Sequence, residues 1–115
     1  MDGRIYYIQQ RLISDLSKHW RVEEMAAMVR LSPPHFHRLF RNTVGISPMK
    51  YLHDLRLDAA RELLENTFLQ IKEIGHRTGL RDPAHLCLSF KDRFGSNPLQ
   101  HRKQFWQTQA ATNGC

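Results

Sequence analysis

His37, Arg38 and Arg41 share one run with Phe36, Leu39 and Phe40, at spacings that sort polar from apolar onto opposite sides of a helix. At about 100° per residue, Pro34, His37, Arg38 and Arg41 fall across from the three apolar residues. The chemistry open to that polar side is hydrogen bonding to base edges and phosphates of a nucleic acid. The Arg38 fork matches the O6 and N7 atoms of a guanine, while His37 can donate or accept at a base edge or a phosphate. Arg41 lies a turn further on, where gripping the backbone is the better use. Ser32 and the helix N-terminus behind it favour a phosphate, less the donors that Pro33 and Pro34 remove.

The arrangement returns fifty residues later with different contents. Opposite Leu86 and Phe90 stand Ala84, Leu88 and Lys91, with His85 to one side. Only Lys91 and His85 can hydrogen-bond from there. Leu88 either touches thymine methyl groups or marks a helix that positions more than it reads, and the second fits its neighbours better. Lys50 and Arg81 are read as phosphate contacts or as ordinary surface charges.

Other chemistries find little to work with. The chain has seven histidines, but His35 and His37 are two apart on a helix and diverge, so no metal site is expected. Cys87 and Cys115 are the only cysteines, without metal-ligand or redox spacing, which fits a reducing cytoplasm. Asp54, Arg56, Asp58, Arg61, Glu62 and Glu65 mostly alternate in sign and read as a solvated, salt-laced face. No nucleophile and base can be paired, so neither an enzyme nor a cofactor is expected. The balance of 17 Lys+Arg against 11 Asp+Glu gives a net charge of +6, which attracts polyanions. Twelve of the seventeen are arginines, suited to phosphates and guanines. No run of 18 apolar residues and no signal-peptide core occurs, so no membrane partner is expected.

The elements that must position these residues read as all helix. Ile5, Ile8, Leu12, Ile13 and Leu16 predict an amphipathic first helix, and Val22 to Met28 a short second one behind Arg21, a poor cap. Ser32-Pro33, Ser47-Pro48, Asp82-Pro83 and Asn97-Pro98 each pair an N-cap with a proline at the first helical position. The second of these opens the longest helix, to about Glu65. Ile71 to Gly75 forms another short helix, and the last ends near Trp106. Leu31 and Leu80 are 49 residues apart, whereas Phe40 and Phe90, Gly45 and Gly95, and Pro48 and Pro98 are each 50 apart. One pattern has therefore been duplicated with one residue gained in the second turn. Two copies are too few for a solenoid, and what remains is a duplicated helix-turn-helix.

The run of Glu24-Met25-Ala26, Ser32, Phe36-His37-Arg38-Leu39-Phe40-Arg41 and Gly45-Ile46-Ser47-Pro48 with Tyr51-Leu52 resembles the AraC/XylS family of bacterial transcription regulators. It continues through Arg56-Leu57, Ala60, Leu63-Leu64, Ile71, Ile74, Gly79-Leu80, Asp82, Phe90-Lys91, Phe94-Gly95, Asn97-Pro98 and Arg102, in order and spacing. The resemblance implies an all-α domain of seven helices, with two helix-turn-helix lobes joined by a long central helix. It implies two recognition helices (about 33–43 and 83–94) that read successive major-groove segments about one turn apart. Base contacts would be Pro34, His37 and Arg38, then Ala84, His85 and Leu88; phosphate contacts would include Ser32, Arg41, Lys50, Arg81 and Lys91. Leu88 and Pro34 depart from the family's usual arginine and larger or polar side chain. Arg30 stands at the usual turn glycine, and Gly75 at the usual alanine.

The expected organisation is an N-terminal lobe over 1–47, a linker helix over 48–66, a C-terminal lobe over 67–107 and a disordered tail over 108–115. Expected partners are double-stranded promoter or operator DNA and RNA polymerase, at the nucleoid in the cytoplasm. The chain is expected either to act alone on DNA or to be the C-terminal DNA-binding part of a longer regulator with a missing effector domain; the second is favoured, since a free-standing regulator would depend on a richer second reading face.

Overall fold

Pro33, Pro48, Pro83 and Pro98 each open a helix, because a proline at the first position loses no hydrogen bond and has its φ already set. The residue before each supplies the cap. The Ser32 hydroxyl accepts from the His35 amide at 3.3 Å and Ser47 from Lys50 at 3.2 Å. The Asp82 carboxylate accepts from Ala84 at 3.1 Å and His85 at 3.4 Å. Asn97 makes a reciprocal pair, accepting from the Gln100 amide at 2.9 Å while Gln100 Oε1 accepts from the Asn97 amide at 3.2 Å.

The computed structural model of the chain describes residues 2–113. Among them are α1 (Gly3–Ser14), α2 (Val22–Met28), α3 (Pro33–Val44), α4 (Pro48–Asn66), α5 (Ile71–Thr78), α6 (Pro83–Phe94) and α7 (Pro98–Asn113), and no strand. The architecture is all-α, with seven helices among the described residues. Arg21 ahead of α2 makes no side-chain cap bond, as its type requires.

The chain forms two compact units that meet inside α4, 1–55 and 56–115. The central helix is thus shared between the lobes, where a separate linker over 48–66 was expected. Leu52 joins the first core, with Ile5, Ile8 and Leu12 of α1, Met25 and Ala26 of α2, Phe36 and Phe40 of α3, and Trp20. Leu57, Ala60 and Leu64 join the second, with Ile74, Leu80, Leu86 and Phe90. The inward positions of α4 are divided because each lobe needs a helix to close its helix-turn-helix.

Two expectations change at the chain's ends. Ile13 is 51% exposed, so the inward stripe of α1 is Ile5, Ile8 and Leu12. Helix α7 continues past Trp106 to Asn113, so 108–113 is helical where a disordered tail was expected. Gln107, Gln109, Ala110 and Ala111 favour helix, nothing before Gly114 breaks it, and the Thr108 hydroxyl donates to the Gln104 carbonyl at 2.9 Å. Gly114 and Cys115 lie outside the described residues.

In the second unit α7 also finishes α4. Arg102 Nε donates to the Leu64 carbonyl at 2.9 Å and Trp106 Nε1 to that of Glu65 at 2.9 Å, satisfying acceptors left open at the helix end. Burial lowers the proton affinity of Arg102, whose guanidinium lies 5.2 Å over the Trp106 ring. His101 Nε2 meets Glu65 Oε2 at 2.7 Å.

Candidate nucleic-acid interface

Helix α3 is held by Phe36 and Phe40, both fully buried, whose rings lie 5.8 Å apart. Phe40 also meets Tyr51 at 5.5 Å. With that arc fixed, Ser32, Pro34, His35, Arg38 and Arg41 are exposed and His37 is half-buried. The polar side therefore faces outward as the spacing requires, with Arg38 at its middle. His37 sits on the flank of that side.

Helix α6 repeats the pattern of exposure. Leu86 and Phe90 are buried, Ala84, His85, Leu88 and Lys91 are exposed, and Leu88 is 72% exposed. Position by position, Arg38 corresponds to Leu88, Arg41 to Lys91, Pro34 to Ala84 and His37 to the half-buried Cys87. His85 corresponds to His35. The two helices present one geometry with unequal chemistry: a guanidinium in the first and an isobutyl group in the second.

Of the other expected phosphate contacts, Arg81 is exposed, and it is the residue gained in the second turn. Lys50 is exposed but its ammonium is 3.1 Å from the carboxylate of Asp54, one helical turn on. Lys50 is the exposed member of this i,i+4 pair and Asp54 the largely buried one.

The two turns are built differently. In the first, Arg30 takes φ 59, the left-handed region, and is the only residue other than glycine to do so among those described. Its amide donates to Ala27 at 3.1 Å, and Leu31 donates to Ala26 at 3.0 Å. A side chain at such a position costs about 1 kcal/mol relative to glycine. In the second turn Gly79 takes the corresponding place at φ 86. A Cβ there would lie 2.7 Å from Nε of Arg56, whose side chain crosses the turn from α4. Burial, then the charge of Arg81, lowers the proton affinity of Arg56. Gly75 is needed for a different reason: a Cβ on it would come 2.4 Å from the Leu80 carbonyl oxygen.

Asp58 of α4 steadies α6 by a forked bond with Arg93, Nε to Oδ1 at 3.1 Å and Nη2 to Oδ2 at 3.3 Å. The acids of α4 that read as a solvated face thus partly tie α4 to α6 and α7. Sequence reasoning misses this pair because 35 residues separate its members. Their placement across from one another emerges only once Leu57, Ala60 and Phe90 are packed. The crossing of Arg56 over Gly79 had one legible sign, a glycine at the position where the first copy has arginine.

No group of three or more His, Cys, Asp or Glu side chains lies together as a metal site among the described residues. No helix among them is long and apolar enough to cross a membrane.

A family model described as a helix-turn-helix domain matches residues 25–104, most of the chain and both motifs. The chain belongs to the AraC/XylS family of helix-turn-helix regulators. This AraC/XylS-type domain is 32% identical over 102 residues to an uncharacterized HTH-type transcriptional regulator of Haemophilus influenzae, covering 89% of this chain and 34% of that one. It is 31% identical over 103 residues to the arabinose operon regulatory protein of Salmonella typhimurium, covering 89% and 37%. The chain thus spans about a third of the length of these curated relatives. Among solved structures it is similar to the DNA-binding domain of AdpA, a global transcriptional factor crystallised with a target DNA. That likeness has a TM-score of 0.86 at 27% identity and covers 96% of each chain. It is also similar to the C-terminal domain of AraT, a response regulator of Geobacillus stearothermophilus, with a TM-score of 0.84 at 28% identity, covering 90% and 86%.

Proposed function

We propose that this chain is a sequence-specific, double-stranded DNA-binding module of a transcription regulator, in which α3 reads bases and α6 chiefly anchors. The observation that carries the reading is the outward side of α3: Arg38 exposed at its centre, Arg41 a turn away, and Phe36 and Phe40 fixing the helix from behind. A guanidinium held on a packed helix suits the major-groove edge of guanine. Pro34 and His37 line the same approach, while Ser32, Arg41 and Lys50 lie where phosphates of that groove would pass.

For α6 the exposed set is Ala84, His85, Leu88 and Lys91, with Arg81 in the turn before it. Lys91 and Arg81 suit phosphates, His85 a base edge or phosphate, and Ala84 and Leu88 only the methyl of thymine. The pair of helices would enter successive major-groove segments, with most of the base information in the first. The AdpA domain, bound to a target DNA in the solved structure, supports DNA as the ligand. The relatives are about three times as long, which supports a place for this module within a longer regulator; effector response and work with RNA polymerase belong to the same proposal.

Competition decides between this and general polyanion binding. A labelled duplex carrying a selected site is challenged with random duplex and with RNA of equal length. We expect random duplex to compete at least a hundredfold less well than the site, and RNA less well still. Equal competition by all three would reject sequence-specific recognition.

A further inference from the structure

We propose that Arg30 is a phosphate anchor: its guanidinium takes a phosphodiester oxygen of the strand passing the start of α3. This rests on the duplex-DNA reading above. Arg30 holds a left-handed backbone at φ 59 that glycine would occupy without strain, and every other such residue described is a glycine. The residue is exposed. Its amide is used in the turn, but its side chain forms no hydrogen bond or ion pair among the described residues. The guanidinium therefore contributes nothing visible to the fold that would offset the strain, so its use is sought outside the molecule. Two residues on stands Ser32, which caps the helix that carries Arg38. A cation at this point borders the side of α3 proposed to face DNA.

The second copy reaches the same result by another route. The residue matching Arg30 is Gly79, and the space its side chain would fill holds the guanidinium of Arg56. Both turns thus carry an arginine head, one borne by the turn itself and one brought in from α4.

The test separates strain from binding. Arg30→Gly and Arg30→Lys, in the 115-residue chain, are titrated with the preferred duplex and with random duplex from about 50 to about 200 mM salt, and each is unfolded in urea. We expect Arg30→Gly to unfold at higher urea yet to lose roughly five- to tenfold in affinity on both duplexes. Its slope of log affinity against log salt should flatten by about 0.9, the share of one phosphate. Arg30→Lys should keep both the wild-type slope and the wild-type midpoint. A raised midpoint with unchanged affinity and slope would overturn the proposal, leaving a strained turn residue without a ligand. Loss confined to the preferred duplex would overturn it too, since Arg30 would then read a base. A lowered midpoint would remove its premise. Failure of the DNA reading itself shows separately, as an unsubstituted chain that binds no duplex in a salt-dependent way.

Discussion

Arg38 and Leu88 occupy the same place in the two copies, and the proposed asymmetry rests on that exchange. We expect Arg38→Ala to weaken binding to the preferred site by roughly 1–3 kcal/mol and to relax the choice of base beneath it. Binding assays on single-base variants of the site check this, and an equal loss on random DNA would make Arg38 a phosphate contact only. Leu88→Ala should leave discrimination nearly unchanged; a large loss on the preferred site alone would contradict an anchoring role for α6. For Lys91→Ala, titration across salt should show a similar loss on all sequences and a salt slope flatter by about one unit. Arg38, Arg41, Leu88 and Lys91 were legible because the spacing of Phe36 and Phe40, and of Leu86 and Phe90, leaves only one direction for them. The half-burial of His37 was not, since it lies at the edge of the arc, where neighbouring helices set exposure.

At the scale of helices and turns, what was legible is what local chemistry decides. Each of the four cap-and-proline pairs opens a helix where it stands. Asp82→Ala should cost about 1 kcal/mol in urea unfolding, because the amides of Ala84 and His85 both lose their acceptor. An unchanged midpoint would mean that the remaining cap geometry suffices. Gly75→Ala is the sharper case. Alanine is the commoner residue in the family the chain resembles, yet here its Cβ would press on the Leu80 carbonyl at 2.4 Å. We expect a loss of about 1–3 kcal/mol, the range for overpacking, and a neutral substitution would show that this turn yields freely. The end of α7 was not legible from the same signals. Its residues before Gly114 carry neither a stop nor an apolar stripe, so the polar composition read as a tail although glutamine and alanine sustain a helix.

For the molecule as a whole, the duplication announced two lobes and seven helices, while the point of division needed packing. The boundary falls inside α4 because Leu52 completes one core and Leu57, Ala60 and Leu64 the other. Nothing in a continuous amphipathic helix marks where one partner ends and the next begins. The net charge of +6 supplies attraction to any duplex, so affinity alone cannot distinguish a reader from a basic surface. Sequence information can. Selection from random duplex DNA with the 115-residue chain, repeated across a salt series, therefore addresses the central claim most directly. We expect an enriched motif in two parts centred about 10 base pairs apart, with more information in one part than in the other. Absence of any enriched motif, with affinity following salt alone, would contradict sequence-specific recognition by α3.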